Sequence, residues 1–199
     1  MLSFITTLLL ASSALAAPSA SSKKSSYGKQ PSCMAAGQKV SDWKVENFDY
    51  HASYIFTTPA HQNSWGYANF TLSNPALDYK PVCSASSSQL SDFFYGNVVY
   101  DCTVPKKHAG DEATFTFNRP TGQLNINQTW ACPEEGGRFW AEGGIKLKLE
   151  CSDKTWKNTN WKIGEIYSKR TVACKKVTVK APITAIHAVQ MLVISCVYP

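Results

Sequence analysis

The sequence predicts an all-β fold: a single compact antiparallel β-barrel or sandwich, stabilised by disulfides. Three observations carry this. Apolar and polar residues alternate with a period of two, turn residues recur at short intervals, and no segment sustains a helical period. Seven cysteines, Cys33, Cys83, Cys102, Cys132, Cys151, Cys174 and Cys196, supply the candidates for disulfides. None lies in a C-x-x-C pair, so zinc or thioredoxin-like chemistry has no support. The odd count leaves at least one thiol for an intermolecular bond or for no bond.

Taken in order, residues 1–16 read as a secretory signal. Phe4 to Ala11 is apolar and Ala14-Leu15-Ala16 has the small-x-small form of a cleavage site. The apolar stretch is shorter than the roughly 20 residues that span a bilayer, so no membrane span is expected. Residues 17–40 read as a disordered leader: Pro18 to Ser32 holds six Ser, three Lys and two Pro and has no apolar face to bury. A β domain is expected over 41–182. Ala68, Phe70 and Leu72 alternate with Asn69 and Thr71, and Leu124, Ile126, Gln128 and Trp130 with Asn125, Asn127 and Thr129. Ile145, Leu147, Leu149 and Cys151 alternate with Lys146, Lys148 and Glu150. Ala113 to Phe117 and Val172 to Val179 are further strand candidates. Turns fall at Asn74-Pro75, Gly96-Asn97, Arg119 to Gly122, Glu134 to Gly137 and Lys157 to Asn160. Residues 183–199 are an apolar tail ending near Cys196, read equally as a docked strand, a disordered tail or an artefact of the gene model.

Twenty basic and fourteen acidic residues give a net charge of +6. The excess favours acidic partners and is too small to assign a nucleic-acid partner. Ten of the basic residues lie between 141 and 181. Among them Lys146, Lys148, Lys175 and Lys176 are candidates for anion binding, against the plainer reading of a solvated strand face. Trp156 and Trp161 flank a polar loop and are candidates for stacking on sugar rings, against a role in anchoring that loop. Trp130 shares a face with Leu124 and Ile126 and is read as core. Asn69-Phe70-Thr71 and Asn127-Gln128-Thr129 are N-glycosylation sequons, each with its Asn on the outward parity of a strand.

No catalytic residue, metal or cofactor is assigned. Asp111-Glu112 and Glu134-Glu135 are sequence neighbours in turns, whereas glycosidase carboxylates face each other across a bond at about 5 to 9 Å. His51, His61, His108 and His187 fall in no recognisable catalytic motif, and G-x-S-x-G, H-E-x-x-H and phosphate-binding glycine loops are absent from the sequence.

Trp43-Lys44-Val45-Glu46-Asn47-Phe48 forms a W-x-V-x-x-F first strand preceded at a distance by Cys33. Tyr67 to Leu72, Val82-Cys83-Ser84-Ala85, Leu90-Ser91-Asp92 and Tyr100-Asp101-Cys102 follow. This pattern resembles the Alternaria allergen 1-like family of small secreted fungal β-barrel proteins, over roughly 43 to 182. The resemblance implies a barrel without a known catalytic centre, acting as an allergen or an elicitor of plant defence. It implies a host plant defence protein or a small phenolic ligand as partner. It pairs Cys83 with Cys102 and Cys151 with Cys174, and gives Cys33 the bond that joins two subunits. Cys132 and Cys196 depart from the family pattern, and Cys132 could capture Cys33 within the chain in place of that homodimer.

The reading is therefore a secreted, non-enzymatic fungal protein that binds at the host or environment interface. The rivals are a secreted hydrolase of wall polysaccharide and a structural protein bound to wall polymer.

Overall fold

Ten strands and one short helix order the described residues, 32–190, of the computed structural model. The signal segment, the leader up to residue 31 and residues 191–199 with Cys196 lie outside them. In chain order the elements are α1 (Cys33–Gly37), β1 (Asp42–Thr58), β2 (His61–Ser73), β3 (Val82–Ser87) and β4 (Tyr100–Thr103). There follow β5 (Glu112–Asn118), β6 (Gln123–Cys132), β7 (Gly137–Lys146), β8 (Cys151–Lys157), β9 (Ser168–Cys174) and β10 (Val177–Gln190). Strands β1 to β7 pair in succession, β10 pairs with β7, and β10 returns to β1, closing an eight-stranded antiparallel barrel.

Closure depends on the length of β1. Its first half, Asp42 to Phe48, pairs with β10, and its second half, His51 to Phe56, pairs with β9. The change of partner falls at a bulge, where Asn47 takes φ 55°. Asn tolerates that left-handed conformation better than most side chains, and its N–H is satisfied by Thr178 Oγ1 at 3.0 Å. Beyond the bulge, β9 and then β8 extend the sheet past the barrel wall as a two-stranded wing.

The barrel is filled by rings. Phe48, Phe70, Phe115 and Phe117 meet at centroid separations of 5.0 to 5.7 Å, and Trp130 stacks on Phe139. Inward positions of β1, β2, β5, β6 and β7 supply these residues, by the period-two alternation of a strand. Gln128 also points inward, where its Oε1 accepts hydrogen bonds from Trp43 Nε1 and Asn74 Nδ2. Under the wing, the segment after β3 packs inward: Phe93 lies against Tyr54, whose hydroxyl donates to the Ser91 carbonyl at 2.6 Å.

Three disulfides tie the parts together. Cys83–Cys102 joins β3 to β4, Cys151–Cys174 joins β8 to β9, and Cys33–Cys132 fastens α1 to the end of β6. The Cys33 sulfur is thus bonded within the chain, so an intersubunit bridge through Cys33 would have to displace that bond.

Three expectations need correction. The run 145–151 is not one strand: β7 stops at Lys146, and β8 begins at Cys151 on the far edge of the sheet. The connection crosses the β5–β6 turn, where Leu147 N–H donates to the Gly122 carbonyl. Val172 to Val179 is likewise split at Lys175-Lys176, because β9 and β10 pair with different halves of β1. Helix α1 lies in the stretch read as leader. It is too short to show a period, and Ser32 Oγ caps it by accepting from Ala35 N. Of the readings left open for 183–199, the docked strand describes residues 183–190, where β10 pairs Ile186 with Ala141 and Gln190 with Gly137.

Gly122 takes φ +76°, and a Cβ there would run into the Leu147 carbonyl oxygen. Gly122→Ala is expected to lower stability by more than about 1 kcal/mol, read as a drop in denaturant midpoint. An unchanged midpoint would show that this turn relaxes freely.

Candidate functional site

The outer face of the wing is the surface on which exposed aromatic and basic side chains converge. Cross-strand partners share a face of the sheet, so the register defines rows across β8, β9, β1 and β2. One row runs Lys154, Thr171, Ser53, Trp65. The next runs Trp156, Lys169, Ile55, Asn63, and on the other side lies Ser152, Ala173, His51, Tyr67. Trp156 is 55% and Trp65 43% exposed. His51 stacks on Tyr67 at 4.9 Å. Lys154 and Lys169 have no carboxylate partner among the described residues. Residues 151–176 hold seven basic and two acidic side chains, five of the chain's six net positive charges.

The opposite face of the wing holds it in place. Arg170 grips Asp153 through both carboxylate oxygens, at 2.6 to 3.0 Å, and its guanidinium lies 4.8 Å over the Tyr54 ring. This pairing holds the Asp153 carboxyl below its ordinary range and raises Arg170. At the tip, Trp161 Nε1 donates to the Glu165 carbonyl at 2.9 Å, and its ring meets Tyr167 edge-on. Of the two tryptophans singled out in the sequence, Trp161 therefore braces its own loop, and Trp156 lies open to solvent.

The four candidate lysines do not form one face. Lys146 ends β7, Lys148 lies in the β7–β8 connection, and Lys175 and Lys176 lie between β9 and β10. Lys175 is paired with Glu150 at 2.8 Å. Lys176 borders an open depression of about 180 Å³ at the β1 bulge, lined also by Glu46, Asn47, Asp49 and Asn69. Glu46 there is claimed by Lys80 and Lys44, which lower its pKa. Asn69 is half-buried at this depression and Asn127 is exposed on β6.

The acidic turn residues do structural work. Asp111 accepts from Tyr79 Oη at 2.6 Å and from Ala131 N, and Glu135 accepts from Met34 N. Glu135 lies beside Cys33 and Cys132, but both sulfurs are bonded to each other and are not free to ligate a metal. His108 stacks on Tyr79, and His61 Nδ1 shares a hydrogen bond with Thr57 Oγ1.

Burial raises the phenol pKa of Tyr79, helped by Asp111, and that of Tyr50 to about 12. A phenol raised above its unfolded value near 10 adds stability that is complete below pH 10 and lost as pH rises through the folded value. Alkaline unfolding followed by phenolate absorbance should therefore be cooperative above pH 10. Tyr50→Phe should flatten the dependence of stability on pH in that window, and an unaltered slope would count against Tyr50 as a source.

The sequence pointed to Trp156 but not to Trp65, Tyr67, Lys154 or Lys169. The outward parity of Asn69 extends back along β2 to Tyr67 and Trp65, so that half was available. The pairing of β9 with β1, which joins the two halves, was not.

Comparison with curated proteins finds no match, and comparison with solved structures finds none. The family model described as Alternaria alternata allergen 1 matches residues 45–174, from the first barrel strand to the second cysteine of the wing. The chain belongs to that family.

Proposed function

We propose that this chain is a secreted, non-enzymatic protein that acts by binding at the host or environment interface, as an effector, elicitor or allergen-like protein. The supporting observation is the contrast between a barrel filled with aromatic rings and a sheet face that presents Trp156, Lys154 and Lys169 of the wing and Trp65 of β2 to solvent. A filled barrel offers its outside for recognition. The binding partner is then a host plant protein, a small phenolic ligand or a wall polymer. Three disulfides suit the oxidising exterior, and export would deliver Asn69 and Asn127 for glycosylation.

The test infiltrates purified protein into leaf tissue beside a panel of glucan, chitin, pectin, RNA, ester and peptide substrates. The expected result is a leaf response that survives Glu142→Gln and His187→Gln and is abolished by reduction of the disulfides. Turnover near ~1 s⁻¹ that vanished with either substitution would overturn the proposal in favour of a secreted hydrolase.

A further inference from the structure

We infer that the outer face of the wing binds a carboxylated polysaccharide chain, a polyuronate. The inference rests on the proposal above that this protein acts by binding. Three features of the face select that chemistry.

The first is shape. Rows of directly opposed residues cross four adjacent strands, and Trp156 and Trp65 stand on the outermost two. Three strand spacings separate them, about 14 Å, room for several consecutive sugar rings. A chain laid from one indole to the other passes between the short side chains of Thr171 and Ser53 and the longer Lys169 and Ile55 of the Trp156 row. A pyranose presents axial C–H bonds, whose positive edge suits the negative face of an indole.

The second is charge. Trp156 is directly opposite Lys169, and Lys154 lies two residues before it on the same face of β8. Both ammonium groups lack a carboxylate partner among the described residues. An indole flanked by two free ammonium groups matches a sugar ring that carries a carboxylate. A neutral glucan would leave both charges unanswered.

The third is the hydrogen-bonding complement. Thr171, exposed in the middle row, offers a hydroxyl to a polyhydroxylated ligand, whereas Ser152 Oγ donates to the Ala173 carbonyl and Ser53 Oγ is buried. A phosphate backbone favours the bidentate fork of arginine, and the wing's arginine, Arg170, is committed to Asp153 on the opposite face. The observations therefore favour a polyuronate over RNA.

The experiment measures binding of the full secreted protein to soluble oligogalacturonate. Its comparators are the methyl-esterified oligomer, a neutral glucan oligomer and single-stranded RNA. The wild type should bind oligogalacturonate, more weakly as salt rises, and should lose most of that binding when the carboxylates are esterified. Trp156→Ala and the double variant Lys154→Gln/Lys169→Gln should each weaken binding about ten-fold, near 1.4 kcal/mol. Both sites are exposed, so the barrel should keep its unfolding midpoint. Lys148→Gln, off this face, should bind as the wild type does. Equal binding by Trp156→Ala and wild type, indifference to esterification, or tighter binding of RNA would each overturn the assignment. A leaf response by a protein that binds no oligogalacturonate would reject this ligand and leave the binding function standing. Substrate turnover would reject the function itself.

Discussion

Replacing Phe117 by Ala will lower the unfolding free energy by about 3 to 5 kcal/mol. Phe117 is 1% exposed and touches three other rings: Phe48 at 5.1 Å, Phe94 at 5.7 Å and Tyr50 at 6.0 Å. These rings come from β1, β5 and the segment after β3, so the residue binds the barrel wall to the loop that supports the wing. Truncation removes the transfer term and leaves a cavity that stiff neighbours cannot close. A domain of this kind has about 5 to 15 kcal/mol in all, so the variant should sit near the edge of folding. Denaturant titration reads the effect, with Phe117→Leu as a milder companion. A loss under about 1 kcal/mol would mean that the rings repack and that the barrel centre is not rigidly filled.

The second large effect is local. Removing Cys151–Cys174 by the double substitution to Ala should open the wing and leave the barrel folded. The bond closes a sequence separation of 23, worth about 3 kcal/mol in the chain-entropy model. Little else holds β8. It is the edge strand, its neighbour is β9 alone, and its side chains from Ser152 to Lys157 are exposed. Its other side-chain ties are the Arg170–Asp153 pair at the surface, Ser152 Oγ donating to the Ala173 carbonyl, Lys157 Nζ over the Tyr167 ring and a contact from Arg119 Nη2 to the Cys151 sulfur at 3.3 Å. An exposed ion pair adds at most about 1 kcal/mol. Hydrogen exchange should show amides of 151–174 losing protection, while those of β5 and β6 keep theirs. Oligogalacturonate binding should fall with the wing. Uniform loss of protection across the barrel would show that the wing is integral to closure.

Strand parity was legible in the sequence wherever one face is buried and the other wet. It placed Phe70, Ile126 and Trp130 inside and Asn127 outside, because a period of two leaves little choice once a few positions are apolar. Segment ends were less legible. The alternation from Ile145 to Cys151 keeps its parity through a connection that is not strand, so the pattern alone could not show the break. Helix α1 has five residues and is fixed by a disulfide to Cys132, 99 positions away. The wing face was half legible for a related reason. Trp156 and Trp65 are 91 positions apart, and only the bulge at Asn47, which frees the second half of β1 for β9, brings them onto one sheet. That event depends on the left-handed conformation of one asparagine.

One closed barrel is tied at three places: to its helix, within its wall and at the base of its wing. Peptide mapping of the secreted protein without reduction tests this most directly. The bridges expected are Cys33–Cys132, Cys83–Cys102 and Cys151–Cys174, with Cys196 outside all three. A peptide linking Cys151 to any cysteine other than Cys174, or Cys83 to any other than Cys102, would contradict the register of the sheet and the binding face built on it.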